Sequence, residues 1–425
     1  MAAREALSHE APSFNARAPR REAALAEARA QVIERASLVR PAPTPIPLSQ
    51  WPPLPAVPVL ALPVRSDRAW PPFRRSMRDG YALRFADRAA PLRLAGAIHA
   101  GAVAAPPCPP GACVAIMTGA PVPDELDTVV MIEHTRGRDG CVELTAGVRA
   151  GDHIAPLGSD SPAGAVVAAA GSRLTPAAVA ALAAAGVPDP LVLPPPRVAI
   201  LVTGDELVPA TASPGPSQIR NSNGPMLAAQ CRRYGAEVVA ERWLPDDAAE
   251  LDDALTAAEG ERTSIIIFSG GASVGSADLV AACLAHRGVT LHFDAVRTRP
   301  GRPVLFGELD GRLYFGLPGN PLGALLACTL LVRPALEIVS GLDPTALTPA
   351  TVSVTLGFAY TGPVLALDAF RPVRLVVRDW GAEAQPLDYH GSADLAAAAA
   401  AGGFLHVPAG TGGMPVGTMV EVVLA

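Results

Sequence analysis

Three short stretches join a run of buried-type residues to small and acidic ones: TGDEL at Thr203–Leu207, SGGASVGSAD at Ser269–Asp278 and LPGNP at Leu317–Pro321. Each follows a segment rich in Val, Ile, Leu or Phe, the pattern of a strand covered on both faces. In the second stretch the glycines remove side chains where a ligand must approach backbone N–H groups. Ala277 to Arg287 then has helical composition, and N–H groups delivered at a helix N-terminus favour a phosphate or another oxyanion. Ser269, Gly270, Gly271, Ser273 and Gly275 form one candidate cradle, and Pro318, Gly319 and Asn320 a second. A glycine-rich turn without a ligand is the other reading of the same residues.

The acidic residues narrow the chemistry. Asp205, Glu206 and Asp278 would repel phosphate oxygens unless a divalent cation lay between, so a metal-bridged phosphate reconciles the two sets. Asp246 and Asp247 follow another strand-like segment and read either as further ligands or as an N-cap pair for a helix over Ala248–Ala258. Arg299 and Arg302 in RPGRP flank a tight turn and suit either a bidentate anion clamp or a solvated face. Upstream, Asp79-Gly80 in RSMRDGYAL is a turn that exposes a carboxylate before an apolar segment.

The elements that must position these residues change character along the chain. Glu22 to Ala36 reads as a helix with Leu25, Ala28, Val32 and Ala36 on one face. Short strands at Leu92–Ile98, Ala112–Met117 and Val129–Glu133 imply a small all-β unit over about 51–141. A helix follows at Pro176–Ala185. Strands at Arg197–Val202, Glu237–Trp243, Ser264–Phe268, Leu291–Val296 and Leu313–Leu317 then alternate with helices near Pro225–Tyr234, Ala248–Ala258, Ala277–Arg287 and Pro321–Ser340, the signature of a doubly wound α/β domain. If its strands are parallel, TGDEL, SGGASVGSAD and LPGNP leave one carboxyl edge, where such sheets bind ligands. From Thr348 onward, Val- and Leu-rich pieces between glycine turns predict another β domain.

With 425 residues the expectation is several domains. Half the residues are hydrophobic, but prolines and charges break every apolar stretch short of membrane-spanning length. A net charge of −6 excludes a protein that coats nucleic acid, so an anionic ligand must be met by local groups. None of the 34 basic residues is lysine, so arginine takes every cationic role. The six cysteines show no CxxC spacing and read as reduced thiols of a cytoplasmic protein; the first residues form a disordered tail without signal-peptide character.

Taken as a set, TGDEL, SQIRNSNGPML (Ser217–Leu227), SGGASVGSAD, RPGRPVLFG and YFGLPGNPLGA resemble the molybdopterin molybdenumtransferase family, MoeA and the gephyrin E domain. RSMRDGYAL, IMTGAPVP with VVMIEHT, the GSD turn at Gly158–Asp160, HGSADL and GGFLHVP extend the resemblance in family order from about residue 45 to the end. It implies a multidomain α/β and β architecture. After a tail over 1–18, a helical/β connecting domain is formed by 19–50 and 142–190, with an inserted β domain at 51–141. A MogA-like α/β molybdopterin-binding domain spans 191–343, and a C-terminal β-barrel-like domain 344–425.

The implied activity is molybdenum insertion: adenylylated molybdopterin and molybdate are converted to molybdenum cofactor with release of AMP, helped by Mg2+. A homodimer is implied, in which the inserted β domain faces the α/β site of the other subunit. MogA-type adenylyltransferase and molybdoenzyme acceptors are the implied partners. Carried over by motif, Asp79, Thr118, Asp160, Glu206, Asp246 and Asp278 are the expected catalytic residues, and Ser392 joins the substrate-binding set. Asp205, Glu206, Asp246 and Asp278 are the expected metal ligands. The alternatives are a divergent paralogue that inserts tungsten or binds without turnover, and a gephyrin-like scaffold. Against the family pattern, Arg78 precedes Asp79, Ala295 stands where a lysine is usual, and Gly323 replaces a hydroxyl-bearing residue.

Overall fold

The computed structural model describes residues 21–50, 58–270, 276–347, 351–379 and 381–424, with backbone alone for 276–278. The tail at 1–18 and the loop residues Gly271, Ser273 and Gly275 lie outside the described residues. The chain divides into two units. One contains residues 21–44, 58–59 and 193–424, the other 45–50 and 60–192.

In the first unit a six-stranded sheet runs in the order Glu237–Leu244, Arg197–Thr203, Ile265–Ser269, Arg312–Leu317, Leu305–Leu309, Thr290–Phe293. The first four strands are mutually parallel and the last two antiparallel. The central strand IIIFS is buried at every position, as its unbroken apolar run requires, because helices cover both faces. One face packs against Asn223–Arg233 and the Pro321–Val339 helical run, the other against Ala248–Gly260.

Four expectations are corrected here. Leu291–Val296 is not one strand: it breaks at Asp294, and Ala295–Val296 turns away to pair with Glu22–Ala23. The same pairing pulls Glu22 and Ala23 out of the N-terminal helix, which begins at Leu25. Leu305–Leu309 is an additional strand, folded back on Arg312–Leu317 through Asp310-Gly311, both at positive φ. The expected Pro321–Ser340 helix is present but contains a π segment at Cys328–Val332, just before Pro334, whose missing N–H breaks the regular ladder. This run is long and apolar enough to cross a membrane by length and composition, and 83% of it is buried in the fold.

The C-terminal strands close into a ring. Asp368–Arg378, Gly381–Pro386, Thr351–Leu356, Met419–Val423 and Gly403–Val407 pair in turn, and the last returns to the first. Phe370, Phe404 and Val423 of this barrel pack on Leu322 and Leu326, which seats it on the helix that follows LPGNP. In the other unit, a six-stranded sheet from Gly80–Leu83 to Cys141–Leu144 encloses its own core around Val114, Leu126 and Val129.

Candidate functional site

Strand register decides the site. Val202 lies opposite Ser269 and Ser269 opposite Leu317, so the three parallel strands release their loops at one level. Ser269 and Gly270 are drawn tightly onto the first loop. A Cβ on Gly270, at φ +112, would stand 2.0 Å from the Thr203 carbonyl oxygen, so only glycine fits.

Around these strand ends is a cavity of about 700 Å³. Its walls come from Thr203 and Glu206, the Arg220–Asn223 segment, Asp246, Gly270, Gly319 and Asn320, and from Ala393 and Leu395 of the C-terminal region. The Ser392 carbonyl accepts a hydrogen bond from the Leu322 N–H at 3.1 Å, which holds that C-terminal loop over the helix following LPGNP. Of the residues expected at the site, Glu206, Asp246, Gly270, Gly319 and Asn320 line this cavity.

One side chain ties the walls. Asn223, 6% exposed, donates through Nδ2 to Ser269 Oγ at 2.9 Å and to the Gly319 carbonyl at 2.8 Å. Ser269 Oγ in turn donates to the Pro318 carbonyl at 3.2 Å. Asn223 was not among the expected site residues, nor were Arg220, Asn221 and Ser222. The available signal was SQIRNSN itself, a polar run immediately before a helix.

The acidic residues separate by role. Asp247 caps the Ala248–Gly260 helix, accepting at Oδ1 from the Ala249 and Glu250 N–H groups at 2.9 and 3.0 Å. Asp246 is left facing the cavity. It keeps solvent contact, yet partial desolvation raises its pKa; the Thr203 hydroxyl opposes this, and the Asp205 and Glu206 charges add to it. Asp205 does not line the cavity; its Oδ1 accepts from the Asp246 N–H at 3.0 Å and fixes that loop. Asp278 falls in the first turn of the Ser276–His286 helix.

Among the described residues, no group of three His, Cys, Asp or Glu side chains is arranged as a metal cage. Mg2+ does not require one, since it binds through one or two carboxylates and completes its shell with water and substrate phosphates. Glu206 and Asp246 are two carboxylates on the cavity wall, and a cation beside them would offset the desolvation, and the lesser neighbouring charges, that raise the Asp246 pKa.

Arg220 is the basic residue among the described cavity walls. Neither Arg299 nor Arg302 lines the cavity. Arg302 pairs with Glu22 at 2.8 Å, while Arg299 lies in a short strand paired with Asp368–Ala369 of the barrel. Gly323 has a steric reason: its added Cβ would lie 3.1 Å from Pro318 Cβ and 3.3 Å from Gly301 Cα, in the RPGRP turn.

In the other unit, Asp79 and Thr118 are adjacent and exposed: Asp79 Oδ1 accepts the Thr118 N–H at 2.7 Å. Asp160 pairs with Arg75 at 3.0 Å and accepts from Ser159 Oγ at 3.0 Å. Gly80 cannot be another residue, because a Cβ there would stand 1.8 Å from the Val130 carbonyl oxygen.

Three family descriptions match in chain order: MoeA N-terminal region (domain I and II) over 23–186, probable molybdopterin binding domain over 199–338, and MoeA C-terminal region (domain IV) over 367–425. A molybdopterin molybdenumtransferase of Bacillus subtilis is 32% identical over 380 residues, covering 86% of each chain. The chain belongs to the molybdopterin molybdenumtransferase family. The Haemophilus influenzae member is 34% identical over 274 residues, 64% of this chain and 67% of that one. The crystal structure of the molybdopterin biosynthesis MoeA protein from Pyrococcus horikosii superposes with a TM-score of 0.75 at 27% identity, covering 95% of this chain and 98% of that one. Membership of the molybdopterin molybdenumtransferase family makes this chain a transferase of molybdenum cofactor biosynthesis. The central match, 199–338, spans the mixed sheet and most of the cavity wall.

Proposed function

We propose that the cavity takes adenylylated molybdopterin and that the protein inserts molybdenum from molybdate, releasing AMP. The observation that carries this reading is the pairing, in one cavity, of the Gly270 and Gly319-Asn320 loops with Glu206 and Asp246. Loop N–H groups and Arg220 suit phosphate oxygens, and the two carboxylates suit a Mg2+ ion beside them. Asp278 and Asp205 are the further candidate ligands. When bound, the cation would neutralise phosphate charge and polarise the phosphoanhydride.

The chain's own residues would then orient and enclose the ligand. Ser269, Gly270, Pro318, Gly319 and Asn320, with the intervening Gly271, Ser273 and Gly275, would line the phosphate, while Arg299, Arg302 and Ser392 would serve an oxyanion nearer the barrel. Asp79, Thr118 and Asp160 stand exposed on their own unit, and we propose that in a homodimer they complete the site of the other copy. A cytoplasmic location, with supply from a MogA-type adenylyltransferase and delivery to molybdoenzymes, fits this reaction.

The test is AMP release from adenylylated molybdopterin and Mg2+, with and without molybdate. Molybdate-stimulated release is expected, and its absence overturns the proposal. Asp278→Asn is expected to abolish the Mg2+-dependent release with the fold intact by circular dichroism; normal turnover would remove Asp278 from the site.

A further inference from the structure

The cavity has a second character besides its charged loops. Ile219 and Leu395 line it while staying 58% and 40% exposed. Strand register aims the first of them. Leu207–Val208 and Ile219–Arg220 pair in parallel with Leu207 opposite Ile219, and the Ile219 N–H donates to the Glu206 carbonyl at 2.8 Å. Side chains opposite one another share a face of such a ribbon, and Leu207, buried against the core, lines the same cavity. Ile219 therefore continues that apolar face outward over the cavity. Leu395 comes from a different wall: it opens the short helix Leu395–Ala400, where Asp394 fixes the first turn by accepting the Ala397 N–H at 2.9 Å. Single exposed aliphatic side chains are commonplace on a convex surface, but two of them within one concave site, beside the Gly270 and Gly319 loops, form a ligand wall.

From this we infer that Ile219 and Leu395 clasp the planar heteroaromatic ring of the bound ligand. The inference rests on the molybdopterin reading of the cavity and adds where the ring lies. Phosphate oxygens, ribose hydroxyls and a cation lose water against methyl groups without gaining a partner, so none of them is stable there. A fused ring presents apolar faces and keeps its polar atoms at the edge, so it can lie against branched side chains while the edge stays hydrogen-bonded. No cavity wall among the described residues is aromatic, so the faces of the ring are met by aliphatic side chains. Adenine and pterin share this chemistry. The cavity thus divides its ligand, with phosphate at the strand-end loops and a ring between Ile219 and Leu395.

Binding is measured by calorimetry with the full chain and Mg2+, using AMP, 6-hydroxymethylpterin and, as a phosphate without a ring, ribose 5-phosphate. Ile219→Ala and Leu395→Ala should each weaken one ring probe by about tenfold and leave ribose 5-phosphate unchanged. The probe affected tells adenine from pterin. Both side chains are exposed, so the alanine variants should keep the wild-type melting temperature. Ring-probe binding unchanged in both variants, or a wild type that holds only ribose 5-phosphate, overturns the inference and leaves the molybdopterin reading standing. Equal weakening of AMP and ribose 5-phosphate also overturns it, because a distorted phosphate site rather than a lost ring contact is then the cause. So does altered sedimentation of the variants with ring binding intact, which would give these side chains to an interface between copies. Failure of the wild type to bind any of the three probes overturns the molybdopterin reading and this inference with it.

Discussion

Asp246 and Asp79 are both aspartates beside strands, yet their surroundings differ in kind. Asp246 faces a cavity whose other walls, from Thr203 to Leu395, belong to its own unit. Its environment perturbs it: partial desolvation and two neighbouring carboxylates raise its pKa. Asp79 is exposed, its carboxylate committed to the Thr118 N–H, and Asp160 is occupied by Arg75. The first arrangement can hold a charged ligand by itself. The second is a solvent-facing set, which we propose acts at the site of a second copy.

The strongest way to break that contrast is subunit complementation. Glu206→Gln and Asp79→Asn should each lower AMP release by about 100-fold. Mixed after dissociation, the two variants should recover about a quarter of wild-type turnover, since random pairing gives half heterodimers with one intact site each. No recovery would return Asp79 to its own subunit's chemistry or to a turn role.

The next effect concerns backbone contact in each unit. Gly270→Ala should cost about 2–4 kcal/mol in urea unfolding, from contact with the Thr203 carbonyl and from strain at positive φ. Gly80→Ala should cost a similar amount through the Val130 carbonyl, at the transition of the other unit. A smaller effect is expected at Asp246. A raised folded-state pKa means stability present below the ordinary value near 3.8 that is lost as pH rises through the folded value. Asp246→Asn should therefore melt like the wild type near pH 3 and slightly higher near pH 7; a lower melting temperature at pH 7 would contradict the desolvation argument. The smallest effect belongs to Arg75→Ala. Its ion pair with Asp160 is solvent-accessible, so its removal should change stability by under about 1 kcal/mol.

Much of the fold was legible because its signals are local. The apolar run IIIF and the Leu92–Ile98 strand depend on neighbours within a few residues, and the structure places them as read. The strand Leu305–Leu309 lies outside the expected elements although Asp310-Gly311 is a hairpin signal, because Gly307 and Glu308 interrupt its apolar run and its antiparallel pairing with Arg312–Leu317 completes it. The break at Asp294 had no local mark, since it arises from pairing with Glu22–Ala23, more than 270 residues earlier. At the site, Asp246 and Asp247 were indistinguishable in sequence, and only the hydrogen bonds to Ala249 and Glu250 assign Asp247 to the cap.

The sequence alone determined the class of chemistry: glycine loops after buried strands, carboxylates among them, and a motif order specific to one family. These follow from residue type and spacing, which act over a turn or a strand. The tertiary structure decided which of those residues share a cavity. Parallel register brought Thr203, Gly270 and Gly319 together, helix packing placed the Asn223 amide against two loops, and the seated barrel added Ala393 and Leu395. Contacts of that kind join positions far apart in the chain, so their pairing is set by packing that no local pattern encodes.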